Sequence, residues 1–203
     1  MVLVGVEDEL SKSVARKLVA EAGFEVDRSD FLVERGAGNL RKHLPSYLAA
    51  GARRPVLVLT DLDDSECAPS LVAEWMEGKV RAENFVLRVA VREIEAWLLA
   101  DRTGMHRFLG IPLRRVSGEP DEFEDPKMQL LLLAKGASAE VRRGLVRSEG
   151  DRVFRGLLYN KKLCEFALSG WSSTRAAANS ASLNKAVTAL QVARRKASLT
   201  TNN

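Results

Sequence analysis

Acidic side chains follow three apolar segments of the sequence, and such residues could hold a metal ion or act as general acids and bases. The clearest case is segment 56–59, four apolar residues that stand shortly before Asp61, Asp63 and Asp64. Because Asp61 and Asp63 are two residues apart, their side chains point the same way on an extended backbone. Two carboxylates about 4 Å apart repel by roughly 4 kcal/mol at an effective dielectric of about 20. Solvent, a raised pKa, basic neighbours or a divalent cation must therefore offset that repulsion.

Two further acidic clusters also follow apolar segments of the sequence. Glu7 follows segment 2–6, and Glu93 and Glu95 follow segment 85–91. Because open α/β sheets bind ligands outside the carboxyl ends of their strands, we expect the three clusters to converge on one crevice. The alternative for each cluster is local, since acids in the first turn of a helix stabilise it by about 0.3–1 kcal/mol each. Convergent carboxylates favour metal-assisted phosphoryl chemistry, with Mg²⁺ as the expected cofactor and Mn²⁺ as its alternative.

Alternating strand and helix patterns would position these clusters. Apolar segments predict buried strands at 2–6, within 24–33, at 56–60 and at 85–91, with helical patterns between them. This alternation indicates parallel βαβ units with right-handed crossovers. After residue 101 the patterns become helical, at 126–133, 138–147, 151–168 and 182–197. We therefore predict an α/β domain over residues 1–110, a Rossmann-like parallel sheet flanked by helices, with an all-α region over residues 111–203 packed on it.

Charge and motifs limit the other classes of function. The formal net charge of +4, from 31 basic and 27 acidic residues, is too small to indicate nucleic-acid binding by itself. Arg92, Lys127 and Lys161 could each contact phosphate, or could lie on a solvated helix face. Neither a phosphate-binding loop nor a dinucleotide-binding glycine pattern occurs in the sequence.

The two cysteines and the overall hydropathy indicate a compartment. Cys67 and Cys164 are far apart and lack zinc-site spacing, so we expect free thiols in a reducing environment. No secretory signal pattern and no apolar run of membrane length is present. We expect a cytoplasmic protein with no membrane partner.

The first third of the chain resembles the receiver domains of response regulators. Segments 4–9, 22–26 and 58–61 are similar to that family's acid pair, helix end and phospho-acceptor strand. This resemblance implies a phosphorylated Asp61, with Glu7 and Asp8 holding Mg²⁺. It does not extend to Arg92, because the family has Thr or Ser at the end of that strand, and no fifth strand ending in Lys-Pro follows.

Nearly the whole chain resembles the Toprim-like families of unknown function that are grouped with overcoming-lysogenization-defect nucleases. The matching segments are 6–7, 61–63, 89–101, 125–127, 159–160, Trp171 and 180–183, of which 93–101 is the most specific. The resemblance implies a Toprim-like sheet, with Glu7 as the motif glutamate and with Asp61 and Asp63 as the DxD pair of a magnesium-dependent phosphodiester site. It also implies a role in phage or mobile-element defence, beside an ATPase partner protein.

Three hypotheses follow for the function. The first is a magnesium-dependent Toprim-like nuclease or nuclease subunit, with these residues: Glu7, Asp61, Asp63 and Glu93 for catalysis; Glu7, Asp61, Asp63 and Glu95 for metal; and Arg92, Lys127 and Lys161 for nucleic acid. The second is a non-catalytic subunit that binds nucleic acid or a partner, because Asp8 stands where the resembled family has Gly, and Ser11 stands where its nuclease branch has an acid. The third is a receiver-like phospho-accepting domain.

Overall fold

A four-stranded parallel sheet forms the centre of the protein, in a computed structural model that describes the backbone of residues 1–201 and the side chains of residues 1–199. The strands are β1 (Leu3–Val6), β2 (Phe31–Val33), β3 (Val56–Asp61) and β4 (Phe85–Ala90), in the order β2-β1-β3-β4. The predicted α/β fold with a parallel sheet flanked by helices is confirmed. The central strand β3 is buried from Val56 to Thr60, as expected of a strand that is covered on both faces.

Helices pack on both faces of the sheet and continue beyond it. They are α1 (Glu9–Glu21), α2 (Ala37–Lys42), α3 (Leu44–Gly51), α4 (Ala68–Met76), α5 (Ile94–Ala100), α6 (Arg102–Leu109), α7 (Pro126–Ala134), α8 (Ala139–Leu145), α9 (Tyr159–Ser169), α10 (Ser173–Ala177) and α11 (Ala181–Thr201). Short 3-10 helices occur at Arg28–Asp30, Leu113–Arg115 and Pro120–Glu122. No helix within residues 1–201 combines the length and the apolar character that crossing a membrane requires.

The pleat of β3 divides the apolar interior into two layers. Val56 and Val58 contact a layer that includes residues of α2, α3 and α4. Leu57 and Leu59 contact a larger layer that includes α1 and α5 and continues through α7, α9 and α11. The helices of the predicted 111–203 region therefore share an apolar layer with the sheet. Asn202 and Asn203, which end that predicted region, lie outside the described residues.

The prediction of an all-α C-terminal region is wrong at residues 146–155. An antiparallel hairpin of β5 (Val146–Glu149) and β6 (Arg152–Arg155) occupies this stretch, where helices were predicted over 138–147 and 151–168. The turn residue Gly150 has a φ of 58°, and Glu149 pairs with Arg152 across a two-residue loop. Gly at the first central position is typical of such hairpin turns. The charged residues around the turn conceal the short alternation of apolar residues that would have indicated strands.

Gly5 in β1 is expected to be essential for packing, because a Cβ atom there would overlap the ring of Tyr47. Gly5→Ala should lower the free energy of unfolding by about 1–3 kcal/mol, the usual cost of overpacking a core. Gly38→Ala is the matched control, since nothing lies within 4 Å of a Cβ atom at that position in α2. Urea unfolding compares the two variants, and equal stabilities would contradict a close Gly5–Tyr47 contact.

Candidate active site at the carboxyl ends of the strands

The loops after β3 and β4 are joined to each other at the carboxyl edge of the sheet. The Asp63 backbone N–H donates to the Arg92 carbonyl oxygen at 2.9 Å, and Leu62 N–H donates to the Ala90 carbonyl at the same distance. Asp63 and Arg92 have φ values of 48° and 60°, which residues other than Gly rarely adopt. Such backbone strain persists only where surrounding structure enforces it, and it is concentrated at functional sites. The strain and the cross-links both fall at the predicted acidic clusters.

Glu7, directly after β1, is held against the end of β3. Its Oε1 accepts hydrogen bonds from the Thr60 hydroxyl and, at 3.0 Å, from the Asp61 backbone N–H. Burial raises the pKa of Glu7 above its ordinary value, and these two hydrogen bonds lower it only in part. The carboxylates of Asp63 and Asp8 raise the pKa further. Glu7 is therefore a positioned carboxyl group beside other acids.

Asp61 ends β3, and one oxygen of its carboxyl group is fully buried. Burial raises the pKa of Asp61 well above its ordinary value, and the nearby carboxylates of Glu7, Glu95 and Asp63 raise it further. Within the described side chains, Asp61 Oδ1 is buried and accepts no hydrogen bond. Buried polar atoms nearly always have a partner, so an unpaired carboxyl oxygen requires an explanation. A bound cation or a proton would supply one.

Lys127 places a positive charge among the acids that follow β4. Its Nζ donates to Glu93 Oε1 and lies 3.9 Å from Glu95 Oε1, and its backbone N–H donates to Glu93 Oε2 at 3.1 Å. Burial alone would lower the pKa of Lys127, but the carboxylates of Glu95 and Glu93 raise it above its ordinary value. The ammonium group is therefore charged at neutral pH. The predicted start of a helix at Asp125-Pro126-Lys127 is confirmed, because Asp125 caps α7.

Glu95 is oriented by a residue from a distant part of the chain. The Tyr159 hydroxyl, at the start of α9, donates to Glu95 Oε1 at 3.0 Å. Burial and the charge of Glu95 raise the pKa of Tyr159, so the phenol stays protonated and continues to donate. Burial also raises the pKa of Glu95, while Lys127 lowers it. Tyr159 and Lys127 together fix the position of a buried carboxyl group.

Lys127→Met is expected to lower the free energy of unfolding by about 1–3 kcal/mol, because it leaves the buried carboxyl of Glu95 and that of Glu93 without their cation. Lys135→Met is the matched control, since Lys135 is exposed just after the same helix. Thermal and urea unfolding at pH 7 measure both. A Lys127→Met variant as stable as the control would show that the ion pairs do not stabilise the fold.

The remaining predicted residues have other contacts. Arg92 Nη1 donates to the carbonyl oxygens of Asp63, at 3.2 Å, and Ser65, at 3.5 Å, and so braces the loop after β3. Lys161 is exposed on α9, and within residues 1–199 it forms no ion pair with these carboxylates. Asp8 caps α1 by accepting from the Ser11 backbone N–H at 2.8 Å, which is the local role of a first-turn acid.

The oxygen donors of the site suit a hard divalent cation, but their side chains are not arranged as a preformed metal-binding site. Across residues 1–199, no group of three or more acidic, histidine or cysteine side chains is arranged to hold a metal ion. The unpaired Asp61 Oδ1 is nevertheless an oxygen donor of the kind that Mg²⁺ prefers, and Glu7 and Asp63 carry further carboxylates near it. A cation there would offset the mutual repulsion that raises the pKa of Asp61.

Sequence reasoning missed two residues of the site. Thr60 precedes Asp61 directly, and a hydroxyl at the end of a buried strand is the signal that could have indicated it. Tyr159 was named only as part of segment 159–160, which resembles the Toprim-like families, and no role was predicted for it. Its contact with Glu95 spans 64 residues of sequence, and no local pattern predicts such a contact.

Comparisons with known proteins give one weak structural likeness. No family model matches the chain, and no curated protein matches it either. A solved structure, the C-terminal region of the Burkholderia pseudomallei OLD protein, is similar at 16% identity and a TM-score of 0.47, over 95% of this chain and 97% of that chain. At this level of similarity, function has to be inferred from the residues of the site.

Proposed function

We propose that this protein is a metal-dependent nuclease or nuclease subunit with a Toprim-like sheet, which hydrolyses phosphodiester bonds of nucleic acid with Mg²⁺ or Mn²⁺. One observation carries the proposal: Asp61 Oδ1 is buried without a partner among carboxylates at the carboxyl ends of parallel strands. Ligand crevices of open α/β sheets lie at this edge. The resemblance of segments 6–7, 61–63 and 93–101 to Toprim-like families supports the same assignment.

The side chains of the site have distinct roles in this proposal. Glu7, Asp61 and Asp63 would hold the metal, and Glu95 would extend their shell. The bound metal would neutralise the scissile phosphate and lower the pKa of an attacking water. Thr60 keeps Glu7 turned toward Asp61, and Tyr159 keeps Glu95 in place.

Lys127 has a protonation state that limits its role. Because its pKa is raised by Glu95 and Glu93, its ammonium group stays protonated near pH 7 and cannot act as a general base there. It can donate to a phosphate oxygen and stabilise the negative charge that develops on it. Glu93, which accepts from Lys127 through both carboxylate oxygens, would orient that ammonium group.

The substrate and partners follow from charge and from the resemblance. Arg92 is half-buried after β4 and contacts the loop after β3, and Lys161 is an exposed cation on α9; both could contact backbone phosphates without reading sequence. A partner ATPase and a role in phage or mobile-element defence are parts of the proposal that rest on the resemblance, whereas the proposed cytoplasmic location rests on the free cysteines and the hydropathy of the sequence.

A cleavage assay tests the proposal. Purified protein is incubated with supercoiled plasmid, single-stranded DNA and single-stranded RNA, with Mg²⁺, Mn²⁺ or EDTA. We expect cleavage of at least one substrate that requires the metal and is lost in Asp61→Asn but retained in Asp64→Asn, whose side chain is exposed in the same loop. Cleavage that persists in Asp61→Asn, or its absence in all conditions, would contradict catalysis at this site.

A second candidate function is non-catalytic binding of nucleic acid or a partner. It is favoured by the fact that Lys127 already neutralises Glu93 and Glu95, and that Asp8 and Ser11 form a helix cap. Titration calorimetry with Mg²⁺ and Mn²⁺ discriminates between the two functions. Metal binding that disappears in Asp61→Asn supports the nuclease, whereas DNA binding without any metal binding supports the non-catalytic subunit.

A further inference from the structure

The positive charge of the protein is concentrated in residues 142–162, which we call the basic segment. It contains seven basic and two acidic residues, so its formal net charge is +5. The whole chain carries +4, so the rest of the sequence carries −1. Six of the seven basic residues are exposed, namely Arg142, Arg143, Arg147, Arg152, Arg155 and Lys161. Clustered basic residues on one surface are the electrostatic signature of nucleic-acid binding.

The basic segment includes the hairpin of β5 and β6, which has one covered face and one open face. Successive residues of a strand alternate between the two faces, and cross-strand partners share a face. Val153 is buried in the larger apolar layer and Val146 packs against that layer, so their face is turned inward. The outward face carries the other two cross-strand pairs, Arg147 with Phe154 and Glu149 with Arg152.

Phe154 differs from the other aromatic side chains of the protein. The sequence has seven Phe, two Tyr and three Trp. Eleven of these twelve belong to the two apolar layers or pack against them, and within residues 1–199 Phe154 is the exception. Its ring lies under the guanidinium group of Arg147, whose Cζ is 5.1 Å from the ring centroid. Packing of the core therefore does not account for an aromatic residue at this position.

Arg147 is positioned over Phe154 and remains accessible. Its Nη1 lies 2.8 Å from Glu149 Oε1, and 59% of its side-chain surface is exposed. Unpaired bases of nucleic acid stack on aromatic rings and on the guanidinium planes of arginine. Arg147 and Phe154 together form an exposed surface of this kind, which we call the stacking platform.

The stacking platform lies close to the candidate active site along the chain. Tyr159, whose hydroxyl donates to Glu95, follows Phe154 by five residues, and five residues span at most about 18 Å. β6 packs against α7, the helix that carries Lys127. Burial and Glu95 raise the pKa of Tyr159, and the positive charge of Arg155 opposes this rise. Arg155 is therefore within electrostatic reach of the site.

We propose that the basic segment binds single-stranded DNA or RNA, with a base stacked on Arg147 and Phe154, and guides the strand to the candidate active site. This inference rests on the proposed function, since the bound strand would be the substrate of that site. Arg155 and Lys161 would contact the backbone phosphates. A duplex fits less well, because its bases are already stacked on one another. An acidic protein would match the charge but would not need the aromatic ring.

Fluorescence anisotropy on the full chain tests the proposal in EDTA, where metal-dependent cleavage cannot occur. The probes are fluorescein-labelled oligo-dT and oligo-U of about 16 nucleotides, the upper site size of a single-strand-binding fold, and a DNA duplex of the same length. We expect at least one single strand to bind about fivefold or more tightly than the duplex at about 0.15 M salt, because only a single strand offers a free base to the stacking platform. Comparison of oligo-dT with oligo-U distinguishes DNA from RNA.

Substitutions of Phe154 separate stacking from charge. Phe154→Ala should weaken single-strand binding by at least about fivefold, the effect of losing one base-stacking contact, and should leave duplex binding and the salt dependence unchanged. Phe154→Tyr keeps a ring and should bind like the wild type. Because Phe154 lies outside the apolar layers, both variants are expected to fold, and circular dichroism melts check this.

A second pair of variants tests the charge of the basic segment. Arg152→Ala, on the outward face of the hairpin, should weaken binding of single strand and duplex alike and reduce the salt slope by about 1. Arg107→Ala is the matched control, since Arg107 is exposed on α6 outside the basic segment, and should leave both unchanged.

Three outcomes would overturn the proposal. They are equal binding of single strand and duplex, a folded Phe154→Ala variant that binds single strands like the wild type, and displacement of the probe by polyglutamate as readily as by unlabelled oligo-dT. The last outcome would assign the basic segment to an acidic protein partner. Failure of the proposed nuclease is distinguishable, because single-strand binding that depends on Phe154 can be present in EDTA whether or not the protein cleaves.

Discussion

Asp61→Asn is expected to make the metal-free protein more stable near pH 7. It should also lower metal-dependent cleavage by more than about 100-fold, because loss of a residue that only supports a metal ligand already costs up to about 100-fold and Asp61 is proposed as a ligand itself. The stability gain follows from the loss of a charge, because burial and the repulsion by Glu7, Glu95 and Asp63 raise the pKa of Asp61 and so disfavour its ionised form. Asn has nearly the same shape and removes the charge. We expect a gain of about 1–3 kcal/mol, because an unpaired buried charge costs more than a neutral polar group at the same place.

The pH dependence of stability has a definite sign at this site. The pKa values of Glu7, Asp61, Asp63 and Glu95 are all raised in the folded protein, chiefly by burial. Between the ordinary carboxyl pKa values of 3.8 to 4.5 and these raised values, the folded state binds more protons than the unfolded state. The contribution of these groups to stability is therefore fully present at low pH and is lost as pH rises through that window.

Urea unfolding from pH 4 to pH 8 measures this dependence, with Asp64→Asn as the control. The decline in stability with rising pH should be shallower in Asp61→Asn than in the wild type or the control. Mg²⁺ should raise the melting temperature of the wild type and of Asp64→Asn but not that of Asp61→Asn, because a ligand that binds the folded state stabilises it by about 2.7 kcal/mol at 100 times its dissociation constant. An Asp61→Asn variant that loses stability, or that responds to Mg²⁺ as the wild type does, would contradict a metal site at Asp61.

The sheet could be predicted from the sequence because each strand is encoded locally. Segments 2–6 and 56–59 are continuous apolar runs, which indicate strands buried on both faces, and segment 85–91 is apolar except at Arg88. The second strand could be placed only within 24–33, because β2 is three residues long and mixes exposed with buried positions. The hairpin of β5 and β6 was missed for a related reason, since most of its strand residues are exposed and half of them are charged.

The candidate site could be predicted only in part, because some of its contacts join residues that are far apart in the sequence. Glu7, Asp61, Asp63 and Glu93 stand at strand ends, so a topology argument is enough to bring them to one edge. The approach of Lys127 to Glu93 spans 34 residues and depends on where α7 packs. From the sequence, a lysine that would contact a phosphate cannot be distinguished from a lysine that pairs with carboxylates of the site.

The receiver-like alternative stays a prediction with less structural support. A phospho-acceptor needs an accessible carboxylate oxygen, and one of the two oxygens of Asp61, Oδ1, is buried. Within residues 1–201 the parallel sheet ends at β4, so the described chain has no fifth parallel strand. Labelling with acetyl phosphate tests it directly, and phosphate incorporation that is lost in Asp61→Asn would restore this alternative.

Asp101→Ala is expected to destabilise the protein by about 3–5 kcal/mol, because it removes a buried carboxylate that accepts four hydrogen bonds, each worth about 1 kcal/mol. Asp101 is 0% exposed and joins α5, α6 and α10. Its Oδ1 accepts from Gly104 N–H at 3.0 Å and Arg175 Nε at 2.8 Å, and its Oδ2 accepts from Ser172 N–H at 2.9 Å and Arg175 Nη2 at 2.6 Å. The melting temperature should fall by roughly 6–20 °C for a chain of this size.

Asp151→Ala is the matched control, because Asp151 is exposed in the turn between β5 and β6. Arg175→Ala should cost less than Asp101→Ala, since it leaves the carboxylate its two backbone donors. In a double-mutant cycle the two substitutions should couple, because each alone removes the same pair of hydrogen bonds. If Asp101→Ala unfolds at the temperature of the control, the junction of α5, α6 and α10 is held by the apolar contacts around it, and the carboxylate of Asp101 contributes nothing to it.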